Sequence, residues 1–262
     1  MNQVELVFEN GTEPLGLQFP SKAFPILSKP NLKMVSIVSP TYNESENIRL
    51  LIERISQVMS DREYEIIIVD DNSGDGTEAI AKQLAEKYPV KVLVRNGKLG
   101  LASAILTGFE YATGNIIGVI DADLQHPPEY MLEFINDIEQ EECDIAIGSR
   151  YVNGGSTECW SKKRLLISRL AVLLAKPLIR GVSDPMSGFF FLKRSVIEGI
   201  RLNPMGYKLG LEILVKGKYK NVKEIPYTFK RRKNGSSKLN NSEIISYLKL
   251  LKDLYLYKIK GM

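Results

Sequence analysis

The sequence predicts an α/β fold: a mostly parallel sheet with helices on both faces. Short apolar runs rich in Val and Ile recur between residues 35 and 148 and read as strands buried on both faces. Amphipathic segments of helical periodicity separate them, and this repeated βα order implies a parallel sheet with right-handed crossovers. Acidic residues stand where several strands stop, on the sheet edge where open α/β folds bind ligands.

The elements run in order along the chain. Residues 1–33 read as an N-terminal extension, loosely ordered or with a short strand over Val4–Phe8, because Gly, Pro and Ser punctuate the stretch after Phe8. Val35–Ser39 is the first strand. Pro40-Thr-Tyr-Asn-Glu44 turns out of it into a helix over Glu44–Met59, whose Ile48, Leu51, Ile52 and Ile55 share a face. Glu65–Val69 is a second strand, ending in Asp70-Asp-Asn-Ser-Gly-Asp-Gly-Thr77, and a helix then reaches Tyr88. Val90–Val94, a glycine-entered helix over Gly97–Thr113, and Ile116–Ile120 complete the next unit. His126-Pro127-Pro128 stops any regular run, a helix spans Pro128–Glu141, and Asp144–Gly148 is a fifth strand. Further on come an amphipathic helix opened by Lys162-Lys163-Arg164, a strand over Phe189–Leu192, a helix opened by Tyr207-Lys208, and a strand over Val222–Ile225. Phe229–Leu239 is a basic, glycine-hinged loop able to close over a phosphate, and Ser242–Lys260 is an amphipathic C-terminal helix suited to a membrane interface.

A chain of 262 residues is one large domain or two small ones, of ordinary globular composition. The net charge of +4 hides an asymmetry: residues 1–150 sum to −12 and residues 151–262 to +16. The basic part suits phosphate groups or an anionic lipid surface. Stacking platforms for single-stranded nucleic acid are not evident, so nucleic acid is not an expected partner. The two cysteines, Cys143 and Cys159, fit a reducing compartment and read as small apolar groups. No signal peptide is visible, and Leu165–Ile179, the most apolar stretch, is broken by Arg169, Lys176 and Pro177.

Asp121-Ala-Asp123-Leu-Gln125 organises the site. Alternation along an extended segment puts Asp121, Asp123 and Gln125 on one side, and three oxygen ligands without Cys or His suit Mg²⁺ or Mn²⁺. With Glu44, Asp70 and Asp71 they make an acidic pocket needing a metal, donors or raised pKa values. Arg164 and Ser168, four apart, form a plausible phosphate clamp. No dinucleotide fingerprint or P-loop is present, and His126, the sole histidine, has no obvious partner.

These stretches, with Gly97-Lys-Leu-Gly-Leu-Ala-Ser-Ala104, Gly148-Ser-Arg-Tyr151, Arg164-Leu-Leu-Ile-Ser168, Asp184-Pro-Met-Ser-Gly188 and Arg232-Lys-Asn-Gly-Ser-Ser-Lys238, resemble the family 2 inverting glycosyltransferases, closest to the archaeal-type dolichyl-phosphate mannose synthases. The resemblance covers Met34 to about Leu239. It implies a glycosyltransferase-A type, Rossmann-like catalytic domain over 34–240, followed by the interfacial helix at 241–262. It implies transfer of mannose from GDP-mannose to dolichyl phosphate. By position, Pro40, Tyr42, Glu44, Val69 and Asp71 would line the guanosine site; Asp121, Ala122, Asp123 and Gln125 would meet the nucleotide-sugar, with Asp121, Asp123 and Gln125 on the metal. Lys208, Arg232 and Lys238 would contact the donor or its phosphates, and Arg150, Arg164 and Ser168 would hold the lipid phosphate. Asp123, Arg150, Arg164 and Arg232 are the expected catalytic set. The chain resembles the short type, peripheral on the cytoplasmic face of the cell membrane or held there by a partner subunit. The alternatives are a polyprenyl-phosphate glucosyltransferase using UDP-glucose and a nucleotide-sugar binding protein without turnover.

Overall fold

The structure, a computed structural model, describes residues 4–6, 31–158, 160–203, 206–232 and 241–260. The first part of the chain alternates strand and helix: β1 (Val4–Leu6), β2 (Asn31–Thr41), α1 (Ser45–Val58), β3 (Tyr64–Asp70), α2 (Thr77–Ala85), β4 (Val90–Arg95), α3 (Leu101–Tyr111), β5 (Gly114–Val119), α4 (Met131–Glu139) and β6 (Ile145–Ser149). The second part is less regular: β7 (Ser156–Thr157), α5 (Lys162–Ala175), β8 (Phe190–Lys193), α6 (Leu209–Lys216), β9 (Val222–Pro226), β10 (Thr228–Phe229) and α7 (Asn241–Lys260).

The main sheet has the order β1-β4-β3-β2-β5-β8-β6-β9 among the described residues. From β2 the chain moves outward to β3 and β4, then returns to place β5 on the other side of β2, in parallel. That reversal is a topological switch, and a crevice opens outside the carboxyl ends of the two diverging strands. β8 lies antiparallel between β5 and β6, so β5 and β6 share a direction. The ends of β2, β3, β5 and β6 and the start of β8 therefore meet on one edge.

The apolar pattern explains the layers. Alternate residues of each strand point to opposite faces. Val38, Ile67, Val69 and Val119 pack with α3, α6, the end of α5 and α7. Ile37, Ile66, Ile68 and Ile120 pack with α1, α2 and α4 on the other face. Gly118 sits opposite Phe191 across the β5–β8 pair, and a Cβ there would stand 2.2 Å from that ring. The glycine is thus what lets an aromatic core residue cross the sheet at this point.

Three differences from the sequence reading stand out. β2 begins at Asn31, ahead of Met34, and Val4–Leu6 pairs antiparallel with β4, covering that sheet edge. The rest of the extension lies outside the described residues. The helix expected from Pro128 starts as one 3₁₀ turn over Pro128–Tyr130 before α4, as a proline-entered end permits. The antiparallel β8 is not announced by any βα pattern.

α7 docks through Leu250, Leu251 and Leu254, and its Tyr247 and Tyr255 hydroxyls donate to the α5 carbonyls of Ala171 (2.5 Å) and Leu174 (2.8 Å). It nevertheless leaves Ile245, Leu248 and Ile259 exposed, and α5 exposes Leu166, Leu170 and Leu173. Among the described residues no helix is long and apolar enough to cross a membrane.

Candidate active site

The first strand end supplies Glu44. Asn43 adopts a left-handed conformation (φ 54°), and its amide and side chain bond the Ser73–Gly74 turn at 2.8 and 3.1 Å. Glu44 N–H donates to Thr77 Oγ1 at 2.9 Å. These bonds hold the Glu44 carboxylate inward, where it accepts from Asn47 (2.8 Å) and Arg232 (2.6 Å). Asp70 is fully buried and ties β2 to the next turn, accepting from Thr41 Oγ1 and from Ser73 N–H and Oγ–H.

Asp71 is differently placed from a free ligand group. Its Oδ1 is gripped by Arg95 Nε at 2.6 Å and by a second Arg95 nitrogen, and its Oδ2 accepts from the backbone N–H of Leu99 (3.0 Å) and Gly100 (2.9 Å). It fixes the 97–100 turn, which carries Lys98 over the Tyr42 ring, 4.3 Å from its centroid. Val69 is fully buried in the core and Pro40 is buried at the paired position on β2, so Val69 has only its main chain for a ligand.

The Asp121–Gln125 stretch is not extended, as the alternation argument assumed. It is a turn with Leu124 at φ 61°. Ala122 and Leu124 are nevertheless buried, so Asp121, Asp123 and Gln125 still face outward together. A non-glycine residue held at positive φ is backbone strain of the kind that collects at functional sites. Gln125 is pinned: its side-chain amide donates to Lys230 O (2.9 Å) and its backbone carbonyl accepts from Lys230 N–H (3.1 Å). Asp123 Oδ1 accepts from Gln125 N–H (3.1 Å), and its Oδ2 lies 3.6 Å from Arg232.

Burial pushes the Asp121 carboxyl up to about 6; Lys208, Arg232 and Arg150 oppose this, while Glu44 adds to it. Asp123 is raised by burial and then by Asp121. Asp121 Oδ1 is buried and has no hydrogen-bond partner among the described residues. An orphaned carboxylate oxygen beside a second carboxylate and an amide fits a hard divalent cation. No group of three or more His, Cys, Asp or Glu forms a cage among the described residues.

His126 has partners after all. It is 2% exposed, stacks on Phe189 at 5.1 Å, and meets the edges of Tyr227 and Phe229. Burial pushes it down to about 4, so the ring is neutral, and its Nδ1 accepts the Asp121 N–H at 3.4 Å. It supports the Asp121 turn from below.

The basic side begins at Arg150, whose Nε and one terminal nitrogen grip Asp184 at 2.7 Å each, while the Arg150 N–H donates to Asp184 Oδ2 at 3.0 Å. Burial pulls the guanidinium down, but this pair more than offsets it and raises it. Glu224 holds the loop by accepting the N–H of Ser183 (2.7 Å) and Asp184 (2.9 Å). Arg164 lies 4.3 Å from the Trp160 ring centroid and is lowered by burial and then by Arg150. Ser168 Oγ takes a 2.7 Å bond from Tyr151 OH, and Lys208 Nζ donates to Met186 O at 3.1 Å. Acidic and basic groups thus face one another across the strand ends.

Comparison with known proteins decides the kinship. Residues 36–201 match the model of Glycosyl transferase family 2. The chain belongs to that family. It is 49% identical over 218 residues to a dolichol-phosphate mannosyltransferase of Pyrococcus furiosus, covering 82% of the chain and 62% of the length of that relative. It is 39% identical to the dolichol-phosphate mannosyltransferase of Saccharomyces cerevisiae, covering 85% of the chain and 87% of the relative. Its fold is of the glycosyltransferase-A type, as expected. It superposes with a TM-score of 0.63 and 19% identity on glucosyl-3-phosphoglycerate synthase from Mycobacterium tuberculosis in complex with Mn²⁺, UDP and glucosyl-3-phosphoglycerate, over 86% of the chain and 79% of that structure. That synthase was also crystallised with Mg²⁺ and UDP.

The structure brings together Glu44, Asp121, Asp123, Gln125, Arg150, Lys208 and Arg232, all named from sequence. Lys238 and Cys159 lie outside the described residues. Cys143 is 1% exposed and its thiol is pushed up to about 11 by burial, as an inert core group should be. Sequence reading missed Asp184, Arg95 and Trp160 as partners. A buried-type arginine needs a carboxylate, and that demand was the only available signal for the first two.

Proposed function

We propose that this chain transfers mannose from GDP-mannose to dolichyl, or more broadly polyprenyl, phosphate, giving the β-linked lipid phosphate sugar and GDP. The observation that carries it is the side-by-side placement of an acidic crevice (Glu44, Asp121, Asp123) and two arginines (Arg150, Arg164) at the foot of an exposed apolar helix. A reaction between two phosphate-bearing molecules, one with a lipid tail, needs that combination. The names of the relatives, dolichol-phosphate mannosyltransferases, support the sugar and the acceptor class.

The acceptor oxygen is already an anion, so no general base is required, and neutral buried His126 is not one. The acceptor oxygen forms a bond to the sugar's anomeric carbon from the face opposite the diphosphate. The bond from that carbon to the diphosphate oxygen breaks and GDP departs with the electron pair, which inverts the centre. Arg150 and Arg164 hold the acceptor phosphate against repulsion by the donor. Arg232 and Lys208 face the diphosphate and offset its growing charge. Asp121, Asp123 and Gln125 would hold Mg²⁺ or Mn²⁺, which when bound screens the diphosphate.

Radiolabelled sugar transfer tests this. Purified chain is incubated with Mn²⁺ or Mg²⁺, dolichyl phosphate in detergent, and either GDP-mannose or UDP-glucose. Metal-dependent label in the organic phase from GDP-mannose is expected. Label from UDP-glucose alone would overturn the donor assignment.

The exposed apolar residues of α5 and α7 support a peripheral membrane contact, which we place on the cytoplasmic face. Leu170 and Leu173 are 50% and 57% exposed, one turn apart on α5. Replacing both by Glu should weaken sedimentation with anionic phospholipid vesicles by about tenfold or more, the value of two leucines withheld from an apolar layer. Turnover of a short, water-soluble polyprenyl phosphate should be unchanged, and an equal loss on both substrates would count against the surface.

A further inference from the structure

Trp160 is the chain's only tryptophan, and the transfer step has no role for it so far. It immediately precedes Ser161, the N-cap of α5, whose Oγ accepts the Arg164 N–H at 3.2 Å. Closing that first turn lays the Arg164 side chain back over the indole, at 4.3 Å. Arg150 arrives from the end of β6 and lies 5.1 Å from the same ring. Phe229, at the head of the basic segment that carries Arg232, packs edge-on at 5.5 Å. Two guanidiniums therefore share one aromatic ring. Arg150 is neutralised by Asp184, whereas no ion pair to Arg164 occurs among the described residues.

Two donors at this spot are buried and unsatisfied. Trp160 Nε1–H and Arg164 Nε–H each lack an acceptor among the described residues. A buried N–H without an acceptor is costly and calls for a ligand or water. Both are N–H donors, and the Arg164 charge has no ion-pair partner among the described residues, so the acceptor that fits them is an anion with several oxygens. A packing-only tryptophan would bury its N–H against a carbonyl or turn it to solvent.

We propose that Trp160 is an acceptor-phosphate residue: its ring holds Arg150 and Arg164 together, and its indole N–H donates to the phosphate of the lipid acceptor. This deepens the acceptor assignment under the proposed function and rests on it. The consequence is a built-in reporter, because the single tryptophan touches the acceptor site and lies one aromatic contact away from the donor-side segment.

The experiment uses the full chain and farnesyl phosphate as a soluble acceptor. Tryptophan emission should change saturably with farnesyl phosphate, be reversed by millimolar inorganic phosphate, and stay unchanged with farnesol. Trp160→Phe keeps a ring and removes the N–H. It should raise the KM for farnesyl phosphate about tenfold, as loss of a hydrogen bond to a charged group does, with kcat and GDP affinity within about twofold. Trp160→Leu removes the ring as well and should lower kcat too, since the arginines lose their spacing. Circular dichroism and the melting temperature check that both variants are folded. An emission that follows GDP but not farnesyl phosphate, or a Trp160→Phe enzyme with the wild-type acceptor KM, overturns the proposal. If no donor gives transfer while farnesyl phosphate still shifts the emission, the transfer reading fails and the phosphate site stands.

Discussion

Asp121→Asn should lower the proposed metal-dependent transfer by about 10²–10³-fold, the scale of losing one preorganised electrostatic group, and at the same time make the ligand-free protein more stable. The two effects have one cause. Asp121 carries a carboxylate oxygen that is buried without a partner, and burial raises the group to about 6. Its folded pKa is above its ordinary value of 3.8, so between about 4 and 6 the folded chain binds more protons than the unfolded one. Stability therefore falls as pH rises through that window and stays low above it. Asparagine has no charge to bury, so the gap between variant and wild type opens from pH 4 to pH 6 and is constant beyond. Thermal melts of both proteins from pH 4.5 to 8 without divalent metal measure it. A wild type more stable than Asp121→Asn at pH 7.5 would show that Lys208, Arg232 and Arg150 already neutralise the group. Adding Mn²⁺ and GDP should stabilise the wild type and leave the variant nearly unchanged. A group that costs stability when unliganded is characteristic of a functional site.

Asp184→Ala should destabilise the part of the site built around Arg150. Asp184 is fully buried and takes two side-chain bonds and one backbone bond from Arg150, which is itself 9% exposed. Removing the carboxylate leaves a guanidinium charge in an aromatic surround of Tyr151, Trp160 and Phe229. The expected loss is about 3–5 kcal/mol, which for a domain of this size lowers the melting temperature by roughly 10 °C. Denaturant unfolding of Asp184→Ala, Arg150→Met and the double variant completes a cycle. The double variant should recover much of the stability, since a buried pair replaced by apolar groups is often close to neutral, but it should not recover transfer. If Asp184→Ala costs under about 1 kcal/mol, Arg150 is more solvated than its burial implies.

Much of the fold was legible because its signals are local. Helical periodicity in Ile48, Leu51, Ile52 and Ile55, and unbroken runs such as Ile66–Val69, fix element types within a few residues. The acidic stretches were legible because they stand where such runs stop. Asp121-Ala-Asp-Leu-Gln125 illustrates the limit. The three polar residues are the partly exposed ones although the backbone is a turn and not a strand, because two buried apolar residues alternate with them in either geometry.

The sequence by itself determined the βα order, the acid-rich strand ends, the basic second half and the family resemblance. Only the tertiary structure decided which charges meet. Glu44 pairs with Arg232 across 188 residues, Arg150 with Asp184 across 34, and Asp71 with Arg95 across 24. It also decided that Asp71 is saturated by Arg95 and the 97–100 turn, that His126 is walled in by aromatics, and that Trp160 meets two arginines. The physical reason is range. Periodicity, caps and turn chemistry act within a turn or two of chain. Ion pairs and buried donors are matched by the order in which strands enter the sheet, and no short window of sequence records that order.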